Sequence, residues 1–450
     1  MNNYLDHDFK PIILEIEKFN KEVKDSGKLN LLSIILIKDN FIYRKDIEVF
    51  TDGYNDEYNI YIIERYIKSM LYIYGGYKLL ISGSNYIYKK IKEFYSKDGK
   101  RSFDYYFMSR IYNHEFEVIE INKENILKSH ELTTKIEENL SGYRIGIDVG
   151  GSDIKVSILR YGEVISSKEI IWNPKEESDP SYHLNFIYKV LSDAYKELSN
   201  IDFIGISTAG VVVNNKLMIS SIFRKVHEKY DETENLYINV IKMLEKDIEK
   251  EIPFKIINDG DASALGGVFG NNLSSCLGIA MGTSEAGGYI DNNRCLHEYL
   301  SELSFVPIDL SEKAIEDPYP KDKGIGSKYF SQDAVIRLSE KLGVNYEGIE
   351  SKREKLKHFQ ELFINNKEKY KIVYQTIGEY LGYSLIYYFE FYNVKNVFLF
   401  GRVLSFGGDI IVNTAKNIID SKFPKYKDIR IILPDENERR VGQSLAVALL

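Results

Sequence analysis

Two acidic residues stand where a β-strand is predicted to end, a position from which a carboxylate can bind a metal or accept a proton. Asp148 lies near the end of the run YRIGIDV and precedes the turn Gly150-Gly151-Ser152. Asp259 closes the run FKIIND and precedes the helix-like stretch ASALGGVFG. A helix N-terminus keeps a carboxylate ionised, as a general base requires. Asp259 is therefore a candidate base, and the alternative is a plain helix N-cap, where Asn and Asp dominate.

Two glycine-rich turns lie between predicted strands. The first is Gly150-Gly151-Ser152, and the second begins at Gly282-Thr283 in the stretch MGTSEAGG. Glycine lets backbone N–H groups approach a phosphate closely, and Ser or Thr hydroxyls add further donors. Each turn alone is explained by a hairpin. The sequence contains neither GxxxxGK[ST] nor a GxGxxG that opens a helix after a strand, which excludes a P-loop and a Rossmann site.

Composition narrows the classes of protein and partner. The chain has 450 residues, a formal net charge of −8 and two cysteines, Cys276 and Cys295. Its length predicts two to three domains. No long basic tract is present to neutralise a nucleic-acid backbone, so we expect no nucleic-acid partner. Sparse cysteine usage fits a reducing compartment, and no run reaches the ~20 apolar residues of a membrane helix. We therefore expect a soluble cytoplasmic protein without a membrane partner.

The elements that must position these residues follow from the apolar patterns. Residues 1–140 predict a separate α/β module that ends in a polar, helix-capable connector over 123–142. Three short β-rich runs over 143–172 predict an antiparallel meander. Helices are predicted over 181–198 and 236–250, with a buried strand over 201–207 between them. Paired strands, helices and parallel strands follow again between 275 and 433, which predicts an α/β protein with two lobes.

The motifs in order resemble those of the ROK family, which groups sugar kinases with related repressors in the actin-like ATPase superfamily. The resemblance covers about residues 143–450. It implies a two-lobed fold with an RNase H-like core in each lobe, lobe one over about 143–258 plus the C-terminal helix and lobe two over about 259–435. Residues 1–140 would be an additional N-terminal α/β module. The motifs are GIDVGGSDIK, IGISTAGVV, NDGDASALGG, MGTSEAGGYI, SELSFVPID and FLFGRVLSFGG.

The same resemblance implies roles for individual residues. Asp148 would orient Mg²⁺, and Asp259 would be the catalytic Asp. Asn258 and Glu302 would contact the sugar. The residues implied to contact the phosphates and adenosine of ATP are Gly150, Gly151, Ser152, Gly282, Thr283, Gly401, Gly407 and Gly408.

Departures from the family pattern place the chain in an atypical subfamily. Phe305 stands where family sugar kinases commonly have a histidine, and no cysteine follows Cys295, so we expect no structural zinc. Cys295 and His297 together offer only two of the three or four ligands that a zinc site needs. Replacement of a polar sugar contact by the Phe305 ring argues against ordinary glucose as the acceptor, and stacking of this ring on a sugar face stays open. Arg402 replaces a glycine, and contact with the nucleotide and a surface salt bridge are both open to it.

Together the motifs predict an ATP- and Mg²⁺-dependent phosphotransferase acting on a hydroxyl of a sugar or sugar derivative. The alternative is a non-catalytic sensor or regulator of the same fold that binds ligand or nucleotide. ROK repressors carry an N-terminal winged helix-turn-helix, and residues 1–140 show no evident recognition helix or basic face. Homo-oligomers are compatible with the sequence, which leaves the acceptor and the role of the N-terminal module open.

Overall fold

A computed structural model describes residues 4–229, 233–269 and 273–450 of the chain. Strands and helices alternate around several β-sheets, which confirms the predicted α/β class. The residues fall into two compact units. The first unit comprises the chain up to Thr133 together with His297–Asn393 and Arg402–Ile429, and the second comprises Thr134–Leu296, Val394–Gly401 and Arg430–Leu450. The N-terminal segment therefore shares its compact unit with two later segments.

The N-terminal part of the first unit is a four-stranded sheet with helices. Its elements are α1 (Ile12–Ser26), β1 (Leu29–Lys38), β2 (Phe41–Phe50), α2 (Asp56–Tyr74), β3 (Lys78–Ser82), α3 (Asn85–Phe94), α4 (Ser102–Tyr112) and β4 (Glu117–Glu120). The strand order is β2-β1-β3-β4. The apolar run LNLLSIILI forms β1, which pairs antiparallel with β2 and β3 and has a buried centre. The second half of α2 is buried on all sides, so this helix lies in the core of the unit.

The later segments of the first unit are mainly helical. Their elements are the two short strands β16 (Glu316–Asp317) and β17 (Asp322–Lys323), followed by α8 (Gln332–Glu340), α9 (Lys352–Asn365), α10 (Lys367–Tyr388) and α11 (Gly408–Lys422). The strands β16 and β17 form a small antiparallel hairpin. Most of α10 is buried, and hydrogen bonds join it to the N-terminal part, as when the Tyr387 hydroxyl donates to Ser69 Oγ at 2.6 Å.

A five-stranded sheet with its helices begins the second unit. Its elements are β6 (Tyr143–Val149), β7 (Asp153–Arg160), β8 (Glu163–Ile171), α5 (Pro180–Leu198), β9 (Phe203–Thr208), α6 (Leu236–Ile248) and β12 (Phe254–Asn258), with a small hairpin of β10 (Val211–Val213) and β11 (Lys216–Ile219). The strand order is β12-β9-β6-β7-β8. The antiparallel meander β6-β7-β8 is present as predicted. The strands β9 and β12 run parallel to β6, which brings three carboxyl ends to one edge of the sheet.

A second sheet completes this unit. Its elements are β5 (Thr133–Lys135), β13 (Cys276–Met281), β14 (Glu285–Ile290), β15 (Cys295–His297), β18 (Asn396–Phe400) and β19 (Arg430–Ile432), with the helices α7 (Asp259–Val268) and α12 (Glu436–Ala448). The strand order is β19-β18-β13-β14-β15-β5. Ala446, Val447 and Ala448 at the end of α12 are buried in one apolar cluster with residues of α7 and β18. The polar connector over 123–142 could form a helix by composition. In the structure it contains a single 3-10 turn at Lys123–Asn125 and the strand β5, because its mostly exposed residues offer no apolar stripe to bury.

Candidate functional site

The carboxyl ends of three neighbouring parallel strands meet in the second unit. Asp148 on β6 lies opposite Ser207 on β9, and Thr208 on β9 lies opposite Asn258 at the end of β12. Asp259 follows directly as the first residue of α7. The sheet thus brings together the two acids that the sequence singled out, although 110 positions separate them in the chain.

Asp148 is held by two neighbours that the sequence did not indicate. Its carboxylate is only 4% exposed. Ser207 Oγ donates to Asp148 Oδ1 at 2.8 Å, and Lys155 Nζ lies 3.3 Å from Oδ2. Lys155 lies directly opposite Asp148 in the antiparallel pair β6–β7. The pairing of these two predicted strands is the one signal that could have identified Lys155 from the sequence. A carboxylate has about four acceptor sites, so these two contacts leave capacity for a further ligand.

The start of α7 separates capping from the candidate acid. Asn258 is the N-cap, because its Oδ1 accepts from the Gly260 N–H at 2.6 Å. Asn258 Nδ2 donates to the Gly210 carbonyl at 2.7 Å, so its amide also ties two loops together. The backbone carbonyl of Asp259 accepts from Gln443 Nε2 at 2.8 Å. The residue that caps α7 is therefore Asn258 and not Asp259. The Asp259 carboxylate lies in the first helical turn, where the helix dipole stabilises its ionised form.

Tyr237 of α6 contacts the end of β9, the strand that lies between β6 and β12. Its ring is buried and its hydroxyl shares a 2.5 Å hydrogen bond with Thr208 Oγ1. Burial raises the pKa of the Tyr237 phenol well above its usual range, and the negative charges of Asp148 and Asp259 raise that pKa further. The raised pKa keeps the Tyr237 hydroxyl protonated, so it can serve as a hydrogen-bonding group.

The first glycine turn connects β6 to β7 and is fixed from two sides. The Gly150 N–H donates to the Asp153 carbonyl at 3.0 Å. The indole N–H of Trp172 donates to the Gly150 carbonyl at 2.9 Å. Ser152 Oγ donates to Asp153 Oδ2 at 2.8 Å. A Cβ added at Gly151 would meet only the end of the Lys175 side chain, at 3.1 Å, so a flexible side chain and not backbone borders this side of the turn.

The second glycine turn connects β13 to β14. The Gly282 N–H donates to the Ser284 carbonyl at 3.0 Å, and Thr283 is exposed. A Cβ added at Gly282 would find no atom within 4 Å, so open space adjoins this backbone. Gly401, which follows β18, has a φ of +102°, and a Cβ there would come within 2.2 Å of the Met281 carbonyl oxygen. Close approach to the end of β13 therefore accounts for glycine at position 401.

The helix that carries Asp259 lies against β14 at a glycine contact. A Cβ on Gly260 would come within 1.8 Å of the Gly287 carbonyl oxygen, and a Cβ on Gly288 would come within 2.2 Å of the Gly260 carbonyl oxygen. Backbone therefore packs directly on backbone at the first turn of the helix. The stretch EAGG after the second turn positions Asp259 through this packing, which the sequence did not indicate.

The remaining predicted site residues lie in the first unit. Glu302 and Phe305 are half-buried at the two ends of a tight turn, in which the Phe305 N–H donates to the Glu302 carbonyl at 3.1 Å. The ring of Phe305 stacks on Tyr72 of α2 with a centroid distance of 4.7 Å and an interplanar angle of 17°. The aromatic replacement at 305 is therefore matched by an aromatic partner from the N-terminal part of the unit.

The predicted adenosine segment begins a helix in the same unit. Gly407 and Gly408 are buried at the start of α11, where a Cβ on Gly407 would collide with the ring of Tyr374 at 2.3 Å. The backbone carbonyl of Arg402 accepts from Gln360 Nε2 at 2.9 Å, and the Arg402 side chain is half-buried. Packing accounts for Gly407, and the nucleotide roles of this segment stay predictions.

The donor set can be compared with the needs of Mg²⁺ and of a triphosphate. Among the described residues, no three His, Cys, Asp or Glu side chains lie close enough to hold a metal by themselves. Mg²⁺ commonly uses only one or two protein carboxylates and takes its other ligands from phosphates and water. The Asp148 carboxylate, with open space beside the Gly282 backbone in the same unit, fits that requirement.

Comparisons with known proteins identify the fold. The model of the ROK family matches residues 144–442. A ROK family glucokinase from Streptomyces griseus, solved with glucose and AMPPNP, has 16% identity and a TM-score of 0.50, with 68% of this chain and 98% of that chain covered. The ROK hexokinase from Thermus thermophilus has 16% identity and a TM-score of 0.51, with coverages of 68% and 97%.

A regulator has the same fold. A ROK family transcriptional regulator, a homologue of the E. coli MLC protein, has 15% identity and a TM-score of 0.50, with 69% of this chain and 78% of that chain covered. No curated protein matches the chain. Together with the family match, these structures confirm the predicted actin-like α/β fold. In the described part of the chain, no helix combines the length and apolar character needed to cross a membrane.

Proposed function

Because the chain belongs to the ROK family, we propose that it is an ATP-dependent kinase that phosphorylates a hydroxyl of a sugar or sugar derivative. The observation that carries the proposal is the meeting of Asp148, Ser207 and Asp259 at the carboxyl ends of three adjacent parallel strands. Phosphoryl transfer needs little covalent help from the protein, and it depends on positioned charges and donors. The strand ends and the two glycine turns supply both.

Asp259 is the proposed general base. The acceptor oxygen forms a bond to the γ-phosphorus while the bond from that phosphorus to the bridging oxygen of ADP breaks, and the acceptor proton passes to Asp259. The position of Asp259 in the first turn of α7 keeps its carboxylate ionised and ready to accept that proton. Glu302 and Asn258 are the proposed sugar contacts, with the Asn258 amide oriented by Gly260 and Gly210.

Asp148 is the proposed magnesium residue. When bound, Mg²⁺ would neutralise charge on the phosphates of the substrate nucleotide. Ser207 and Lys155 hold the Asp148 carboxylate in one orientation, at 2.8 and 3.3 Å. The proposed phosphate donors are the backbone N–H groups around the two glycine turns, with the side chains of Ser152 and Thr283. Trp172 supports the first of these turns through its bond to Gly150.

A screen for ADP release tests the proposal. The panel contains sugars, amino sugars, sugar acids and polyols, and we expect at least one to stimulate ADP release. Asp259→Asn should lower kcat by about a hundredfold or more, the scale for a positioned base. Trp172 is the only tryptophan of the chain and donates a hydrogen bond to Gly150 of the first glycine turn, so its fluorescence should report MgATP binding. We expect the MgATP affinity of Asp259→Asn to differ little from that of the wild type.

Asp261→Asn is the matched control. Asp261 lies in the same first turn of α7, so its replacement removes the same charge from the same helix end. Residues two apart on a helix do not share a face, so this variant should keep kcat within about threefold of the wild type. Near wild-type turnover in Asp259→Asn would refute the assignment of the base. A wild type that binds MgATP and phosphorylates no member of the panel would favour the non-catalytic sensor.

A further inference from the structure

An aromatic cluster surrounds Phe305 in the first unit, and two of its layers can be distinguished. The rings of Tyr72 and Phe107 are buried, and they lie 4.7 and 5.2 Å from the ring of Phe305. Phe103, Phe305 and Tyr319 form an outer layer, in which the centroid distances are 6.1, 6.3 and 5.1 Å. Tyr319 is 38% exposed, and the other two outer rings are half-buried. We call these three rings the aromatic platform.

The N-terminal part of the unit holds the turn that carries Glu302 and Phe305. The last carbonyls of a helix lack partners within the helix. At the end of α2, the Tyr72 carbonyl accepts from the Glu302 N–H at 2.8 Å and the Ile73 carbonyl accepts from the Ser301 N–H at 2.9 Å. The backbone of this turn thus completes α2. The position of Glu302 is therefore set by a segment that lies outside residues 144–442 of the family match.

A buried ionic network fixes the elements that supply the platform. Lys68 Nζ on α2 contacts Asp104 Oδ1 at 2.7 Å and Asp322 Oδ2 at 3.1 Å. Arg101 Nη1 lies 2.8 Å from Asp322 Oδ2, and the Tyr72 hydroxyl donates to Asp104 Oδ1 at 2.6 Å. These contacts join α2, α4 and the hairpin β16–β17. Phe103 lies between Arg101 and Asp104 in α4, and Tyr319 lies in the hairpin, so the network orders the platform before any ligand binds.

We infer that the aromatic platform is the part of the acceptor site that binds an apolar group attached to the sugar, so that the acceptor is a glycoside with an apolar aglycone. The inference rests on the proposed function, which assigns Glu302 to the acceptor hydroxyls. Aromatic faces bind apolar and aromatic groups by stacking and exclude water from them. The three rings are partly exposed and adjoin the turn that carries Glu302. A group attached to a sugar that Glu302 holds would therefore lie against the platform, and an apolar group gains most from contact with aromatic rings.

Calorimetry with paired glycosides tests the inference. The probes are the methyl and phenyl glycosides of the sugar that the ADP-release screen identifies, or of glucose if the screen identifies none. We expect the wild type to bind the phenyl glycoside at least tenfold more tightly than the methyl glycoside. Phe103→Ala and Tyr319→Ala should each reduce that preference to less than threefold. Tyr106→Ala is the control. Tyr106 lies on α4, as Phe103 does, but it is 55% exposed and its ring contacts Tyr105, outside the platform.

The outcomes separate the inference from the proposed function. Equal affinity of the wild type for the two glycosides would overturn the inference, as would a preference that survives in both platform variants. If the protein phosphorylates a free sugar and the phenyl group adds no affinity, the proposed kinase function is supported and the proposed role of the platform is overturned. A phenyl preference that both variants abolish, in a protein that transfers no phosphate, would establish the platform and reject the kinase. The melting temperature of each variant distinguishes a lost preference from lost folding, and the Tyr319 side chain is the most exposed of the three rings, at 38%.

Discussion

Replacing Lys68 by Met tests whether the buried ionic network holds the first unit together. Lys68 is 0% exposed and lies between two carboxylates, those of Asp104 and Asp322. Met has a similar length and no charge, so the change removes the cation and leaves most of the packing volume filled. Burial raises the pKa of Asp104, and Lys68 works against that effect. Although burial alone would raise the pKa of Asp322, Lys68 and Arg65 lower it.

The expected loss of stability follows from the two contacts. Removing one partner of a buried ion pair costs about 3–5 kcal/mol, because the other charge stays buried without compensation. A domain of this size class loses about 2–4 °C of melting temperature per kcal/mol. We therefore expect the melting temperature of Lys68→Met at pH 7 to fall by roughly 10 °C. Lys100→Met is the control, since Lys100 is exposed and its Nζ lies 4.0 Å from Glu64, a carboxylate that keeps Arg65 and Arg101 as partners. Loss of this exposed cation should cost no more than about 1 kcal/mol.

The pH dependence provides the decisive signature. Without Lys68, the folded-state pKa of Asp104 should lie further above its unfolded value than in the wild type, and the pKa of Asp322, which Lys68 and Arg65 hold below its usual value, should rise. An acid whose pKa is higher in the folded state than in the unfolded state stabilises the fold fully when the pH is below its unfolded pKa. This contribution is lost as the pH rises through its folded pKa. The deficit of the variant should therefore be largest at pH 7 and shrink as the pH falls toward 5. Thermal unfolding by circular dichroism across this range measures it, and a deficit below about 2 °C at pH 7, or one that grows on acidification, would refute the reasoning.

Three further predictions concern the second unit and zinc. Gly260→Ala places a Cβ within 1.8 Å of the Gly287 carbonyl oxygen, so we expect a loss of more than about 2 kcal/mol of stability by denaturant unfolding, and an unchanged midpoint would contradict the packing. Ser207→Ala removes the donor to Asp148 at a cost of about 1 kcal/mol, and it should raise the Mg²⁺ concentration for half-maximal ADP release severalfold, where an unchanged value would separate Ser207 from the metal. Purified protein should contain less than one equivalent of zinc per chain, because Cys295 and His297 offer too few ligands, and stoichiometric zinc by elemental analysis would exclude this.

Local patterns were sufficient to predict the strands and helices around the candidate site. Alternating and continuous apolar runs in 143–172 predicted three strands, and the structure pairs them in an antiparallel meander. The helices predicted over 181–198 and 236–250 are α5 and α6, with ends that differ by at most two residues. These elements could be predicted because their signals lie within one strand or one helical stripe. The connector over 123–142 forms no α-helix, because its composition permits a helix but gives it no apolar face to bury.

Contacts between distant segments could not be predicted from one sequence. Ser207 looked like an ordinary residue at a strand end, and only the pairing of β6 with β9 brings its hydroxyl to Asp148. Asn258 and Asp259 both suit a helix cap by residue type, and the hydrogen bond to Gly260 decides which of them is the cap. Residue type therefore identified the candidate acids, whereas sheet register and capping geometry identified what orients them.

The replacement at 305 has a physical explanation in the N-terminal segment. A histidine at this position would need hydrogen-bond partners, whereas the Phe305 ring lies on Tyr72 and beside Phe103 and Phe107, which belong to α2 and α4. The Tyr72 hydroxyl is in turn bonded to Asp104 of the ionic network. Because both α2 and α4 precede the family match, the aromatic residue at 305 and the N-terminal segment form one structural feature. The segment therefore packs against the turn that carries Glu302, and under the proposed function both would shape the acceptor site.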